Sequence, residues 1–331
     1  SGNLAADDVT DLDQLTHQAG VDIHTGELMS DRPMHERGRD RRVDAAGSDE
    51  VPVRSGWNRW TASAEGNRGR HAGVASSYPV TTMWFLRRRR RRRLLADPIP
   101  AIWRRTLQEH MVHYRMLGPA QRKKLEDKAR IFVAETDWEG CGGLDLDERK
   151  RILIAANACL LVLENDATLF EAVTSVIVYP AGVVIPESHV GNGIVAGETP
   201  ILGQARFNGP IILSWSDSIH ATQRIGTRNV VLHEFAHALD MLNGTVNGTP
   251  PMRKGLHDVW VETCQSEYES LRTRLEDGVH GAIDPYGATN PGEFFAVVTE
   301  HFFEQPHVLH DHHPELWEVF SEYYGYAFGG G

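Results

Sequence analysis

The sequence predicts an α+β protein, mainly helical, with a small mixed sheet. Two observations predict it: long segments of helical period separated by Gly and Pro breaks, and two short runs of strand formers in the middle of the chain. After the second run, helical patterns dominate to the C-terminus, and no internal repeat interrupts the order.

The elements follow in order. Residues 1 to about 82 mix Gly, Ser, Asp and Arg with few apolar runs, so disorder is expected there. Arg87 to Arg93 is an unbroken arginine run. Charge of this kind attracts nucleic acid or anionic lipid. No DNA-binding motif or aromatic-interleaved surface accompanies it, so no specific nucleic-acid binding is expected and a solvated basic tail is the reading adopted. Trp84 and Phe85 alongside leave a peripheral attraction to an inner membrane surface open. The expected organisation is therefore a disordered extension over 1–97 and a folded domain over 98–331.

Ile99 to Leu117, Ala120 to Glu135 and Leu146 to Leu163 read as helices, broken at Gly118-Pro119 and Gly140 to Gly143. Ser175 to Pro186 and Gly209 to Trp215 read as strands. Asn229 to Leu242 reads as a helix with Asn229 as N-cap and Gly244 as its stop, and Leu256 to Leu275 is amphipathic. Asn290-Pro291-Gly292-Glu293 opens a further helix. His307, His310, His312 and His313, around Pro306 and Pro314, read as a solvated loop rather than a second metal site.

His233-Glu234-Phe235-Ala236-His237 carries the chemistry. H-E-x-x-H on a helix places two imidazoles one turn apart with a carboxylate beside them. The chain has 17 histidines, so the context has to decide whether the motif is real. At about 100° per residue, His233, Glu234, His237 and Asp240 share an arc of roughly 120°, and apolar residues fill the rest. Such a helix is buried with one polar stripe, and a divalent metal would satisfy that stripe. Zinc then needs a third protein ligand and keeps a position for water. Glu293, Glu300 and Glu262 are the candidates, and a capping box alone would explain Glu293. Asp240 is either a partner that orients a histidine or the cap of a local network.

His233 to Gly244, followed by Tyr286 and Asn290-Pro-Gly-Glu293-Phe-Phe-Ala-Val, resembles the Mlc titration factor A family of zinc-dependent peptidases. The resemblance extends through Trp138-Glu-Gly-Cys-Gly-Gly-Leu144, Val176-Ile-Val-Tyr-Pro180 and Gly209 to Trp215, and covers about Met83 to Tyr324. Met83-Trp-Phe-Leu and the arginine run look like the family's usual amino terminus, which makes Met83 a candidate native start. The family is similar to the catalytic domain of anthrax lethal factor, a zincin, in which the third ligand is a Glu seven residues after a catalytic Tyr. Tyr286 and Glu293 match that pattern.

The resemblance thus implies a zincin-like metallopeptidase domain with one zinc held by His233, His237 and Glu293. Glu234 is implied as general base and Tyr286 as donor to the oxyanion. Without the resemblance, Tyr286 is an ordinary loop tyrosine. In such peptidases a strand at the place of Gly209 to Trp215 pairs with the substrate backbone.

Composition bounds the rest. The chain has 331 residues and net charge −11, with the acidic balance downstream of the arginine run. No apolar run reaches the roughly 18 residues of a membrane span and no signal-peptide pattern is visible, so a cytoplasmic protein is expected. Three cysteines, Cys141, Cys159 and Cys264, lack a framework spacing and fit a reducing compartment. Cys141 is not expected to block the zinc. Two functions stand together: a zinc metallopeptidase acting on peptide or protein substrates, with aminopeptidase-like preference implied by the resemblance, and a regulatory protein that sequesters a transcriptional repressor.

Overall fold

The computed structural model of the protein describes residues 80–164, 173–182, 203–204, 209–226 and 228–326. Upstream of the sheet the helices are α1 (Val80–Ala96), α2 (Ala101–His110), α3 (Val112–Met116) and α4 (Pro119–Glu135), and α5 (Glu148–Leu160) follows the first strand. The expected helix over Ile99 to Leu117 is thus two helices. Met111, fully buried, takes an extended conformation (φ −119°, ψ 108°) and breaks them. Asp147 caps α5 by accepting from the Lys150 amide, and Pro119 opens α4 at its first turn.

The extension expected through residue 97 departs from that expectation over its last part. Residues 1–79 lie outside the described residues, but the arginine run is helical within α1. Its cause is a buried acid: Glu135 at the end of α4 accepts from Arg87 Nε at 3.0 Å and from Arg91 Nε at 2.9 Å. Arginines one turn apart converge on one carboxylate, a pairing that no local pattern announces.

The sheet has strands β1 (Asp137–Gly140), β2 (Ser175–Tyr179), β3 (Gly203–Gln204) and β4 (Ile211–Ser214), in the order β1-β2-β4-β3. β1, β2 and β4 are parallel, while β3 runs antiparallel to β4 with Gly203 opposite Leu213. Val176 and Val178 face the core, as the alternation in β2 requires. The expected strand over Ser175 to Pro186 is described only as far as residue 182. β1 had no sequence signal because Asp-Trp-Glu-Gly does not alternate. In the segment Gly209 to Trp215, expected to pair with substrate, β4 pairs with β2 on one side, and its Ile212 and Leu213 pair with β3 on the other, so those two residues are bonded within the sheet.

Downstream come α6 (Trp215–Gln223), α7 (Val230–Asp240), α8 (Lys254–Glu276), α9 (Pro291–Glu304), α10 (Pro306–His312) and α11 (Pro314–Tyr324). An aromatic cluster joins the last of these. Trp260 of α8 stacks on Phe320 of α11 at 4.6 Å, and Phe302 of α9 stacks on Tyr324 at 5.4 Å, beyond what area burial alone provides. This core fixes α9 against α8 and α11, and α9 packs directly on α7; those last two helices carry the candidate site. Of the C-terminal histidines, expected in a loop, His307, His310 and His312 are helical and exposed on α10, while His313, between α10 and α11, is buried against Glu267 at 2.9 Å. No helix among the described residues is long and apolar enough to cross a membrane.

Candidate metal centre

Helix α7 begins at Asn229, whose side chain accepts from the Leu232 amide at 3.1 Å. It ends in a short 3-10 turn at Gly244, where φ of 90° favours glycine. Every residue from Val230 to Asp240 is buried, so its polar stripe faces protein rather than solvent. Helix α9 begins at Asn290, which accepts from the Glu293 amide at 3.0 Å, with Pro291 at the first helical position. Gly292 lies close to the loop after α7, since a Cβ there would sit 2.5 Å from Val246 Cγ1 and displace that exposed side chain.

The two helices bring His233, His237 and Glu293 together, with one ligand atom from each lying within 4.8 Å of the others. Glu293 Oε2 is 3.1 Å from His233 Nε2 and 3.4 Å from His237 Nε2. The Glu293 side chain is therefore turned to the histidines rather than back to its own helix start. Glu300, two turns further on, lies behind His233: its Oε1 is 2.7 Å from Nδ1, and its Oε2 accepts from the Asn229 amide at 2.7 Å. Glu262 is exposed on α8, outside this group.

This arrangement poses an electrostatic problem that a cation answers. With Nδ1–H donated to Glu300, the Nε2 of a neutral His233 is a lone pair facing the anionic Glu293 oxygen. Either a proton or a metal ion must stand between them. Burial opposes charging His233, but Glu293 and Glu300 outweigh it and raise its pKa to about 10. Burial likewise opposes ionisation of Glu293, and the two histidines overcome it and hold the carboxyl well below its ordinary range. Two imidazoles and one carboxylate form the donor set of a catalytic zinc site. The residues present fit a divalent metal.

Glu234 is buried beside this group, and its carboxylate makes no hydrogen bond among the described residues. Burial pushes its pKa up, against the pull of His233 and His237. Tyr286 sits in the turn Pro285–Ala288, 6.1 Å from His233 between ring centroids and 46% exposed, so its hydroxyl group is not locked in the core. Arg228 lies 5.5 Å over its ring. A cleft lined by Arg228, Asp284, Tyr286 and Glu300 opens next to the group.

Asp240 does not orient a histidine. Its carboxylate accepts from the Gly248 and Thr249 amides at 2.7 and 3.0 Å, fixing the loop after α7 that packs on Gly292. Burial raises its pKa to about 6, and those backbone bonds oppose the rise. His237 Nδ1 is buried with no partner among the described residues. The Cys141 thiol contacts Glu139 on β1 at 3.5 Å.

One residue was missed by sequence reasoning. Glu304, one further turn along α9, accepts from Asn229 Nδ2 at 2.7 Å and the Gly226 amide at 3.2 Å, with buried His113 at 3.5 Å. Its spacing from Glu293 and Glu300 on one helical face was the available signal.

Comparison with known proteins finds a family and several relatives. The family described as glucose-regulated metallo-peptidase M90 matches residues 85–325. The uncharacterized protein slr2042 of Synechocystis is 37% identical over 236 residues, 70% of this chain and 86% of that protein. Mlc titration factor A of Cronobacter sakazakii is 33% identical over 216 residues, 63% of this chain and 80% of that protein. The protein of the same name from Escherichia fergusonii is 30% identical over 230 residues, 67% and 85% of the two chains.

Proposed function

The chain belongs to the glucose-regulated metallo-peptidase M90 family, and from that premise we propose that it is a zinc-dependent peptidase whose catalytic unit spans 98–331. One observation carries the proposal: the Nε2 atoms of His233 and His237 converge on Glu293 Oε2 at 3.1 and 3.4 Å, a cluster that needs a cation. His233, His237 and Glu293 would hold the ion. Bound zinc supplies a Lewis acid that acidifies a water and polarises a carbonyl.

The chain's own residues do the rest. Glu234, with a raised pKa and no hydrogen bond of its own, takes a proton from the attacking water and passes it to the leaving amine. Tyr286 donates a hydrogen bond to the oxyanion of the tetrahedral intermediate. Glu300 keeps His233 in the tautomer with Nε2 toward the metal. The resemblance implies an aminopeptidase-like preference.

A regulatory reading rests on the relatives' name, Mlc titration factor A, and would add binding of a transcriptional repressor without displacing the chemistry. The test is digestion of a peptide library by the purified protein, with zinc measured in the same sample. Cleavage that stops on chelation and returns with zinc is expected. Zinc-replete protein that cleaves no peptide would leave only the binding role.

A further inference from the structure

The arginine run is only partly used by the fold. Arg87 and Arg91 close on Glu135, and the main chain of Leu94 accepts from Arg130, so one face of α1 is fastened to α4. At about 100° per residue the opposite face carries Arg88, Arg89, Arg92 and Arg93. All four are exposed, and Arg89, Arg92 and Arg93 form no ion pair among the described residues. At the amino-terminal end of the same face, Phe85 is 64% and Leu86 61% exposed.

A helix that is pinned on one side and presents clustered guanidinium groups flanked by exposed apolar side chains matches one partner chemistry. We propose that the outer face of α1 docks on an anionic phospholipid surface. The guanidinium groups would meet lipid phosphates, and Leu86 and Phe85 would enter the boundary between headgroups and acyl chains. Charge complementarity selects the anionic lipid, because the chain as a whole is acidic at −11 and this face concentrates its positive charge. The exposed leucine separates lipid from nucleic acid: a polyphosphate backbone attracts the arginines equally but offers an aliphatic side chain nothing. The Arg–Glu135 clamp sets the geometry, since a flat surface can engage Arg89, Arg92 and Arg93 together only if the helix keeps its other face on α4. This docking goes beyond peptidase chemistry and stands or falls apart from it.

The test is cosedimentation of the full chain with vesicles of phosphatidylglycerol and phosphatidylethanolamine, compared with pure phosphatidylcholine. Binding to the anionic vesicles alone is expected, with release by added salt. The triple substitution Arg89→Gln, Arg92→Gln and Arg93→Gln should weaken it by about 100-fold, a factor near five per charge. Its thermal midpoint should match wild type, because none of the three forms an ion pair among the described residues. Leu86→Ser should weaken binding a few-fold at unchanged salt dependence. Equal binding to both vesicle types, or wild-type binding by the triple variant, would overturn the proposal. So would tighter binding to a random-sequence DNA duplex than to anionic vesicles.

Discussion

Replacing Glu300 tests whether a carboxylate placed behind His233 sets the affinity of the proposed zinc site. Its carboxylate accepts from His233 Nδ1 and from the Asn229 amide, each at 2.7 Å, and the residue is 8% exposed. Charge-assisted bonds of this kind contribute about 1.5–3 kcal/mol each, and a buried donor left unpaired costs about 1–3 kcal/mol. Glu300→Ala strands both donors, so stability should fall on the order of 2–6 kcal/mol. Glu300→Gln keeps an acceptor for one donor and turns an amide N–H toward the other, so the loss should be about half. In metal binding the Gln variant should lose about 10–100-fold in affinity, because His233 is no longer held in one tautomer and orientation. Competitive titration with a chromogenic chelator reads this directly, and thermal unfolding of the same samples reads stability. Affinity of Glu300→Gln within two-fold of wild type would refute the orienting role. Wild-type zinc affinity in Glu293→Ala together with complete loss in Glu300→Ala would exchange the two carboxylates' places.

Three further outcomes are expected. Glu293→Ala should lose zinc in the chelator titration while Glu262→Ala keeps it, because Glu262 is exposed on α8 away from the histidines. Tyr286→Phe should lower turnover by about 10²–10³ with zinc content unchanged, measured by steady-state kinetics and metal analysis on one preparation. Glu304 gives a pH prediction: burial raises its carboxyl to about 8 against the bonds from Asn229 and Gly226, so the folded state holds this proton more tightly than the unfolded chain. The stability it contributes is present at acid pH and declines as pH rises from about 4.5 to about 8, by a few kcal/mol. Glu304→Gln should flatten that decline in denaturant titrations across this range, and an unaltered slope would contradict the assignment.

What was legible in the sequence was local. The α7 motif, its Asn229 cap, the Gly244 stop and the Asn290-Pro291 start of α9 are short-range patterns, and the structure forms them where those patterns place them. The candidates Glu293, Glu300 and Glu262 could not be separated by spacing, because the choice depends on how α9 lies across α7. The division of Glu293 and Glu300 between the two sides of His233 is a tertiary fact. The same reason hid the helical state of the arginine run, whose partner Glu135 lies 44 residues after Arg91. Asp240 could be read either way because its acceptors' partners, the Gly248 and Thr249 amides, depend on a loop conformation. β1 escaped because a short exposed strand, with only Trp138 half-buried, has no alternation to read.

The central claim is that Glu234 moves the proton in a site built to hold zinc. The measurement that tests it most directly is peptide turnover by Glu234→Gln at equal zinc content. The substitution preserves shape and leaves His233, His237 and Glu293 in place, so metal content should match wild type. Turnover should fall by about 10² or more, since the proton acceptor is gone. Turnover within a few-fold of wild type, with zinc bound at the same stoichiometry, would contradict it.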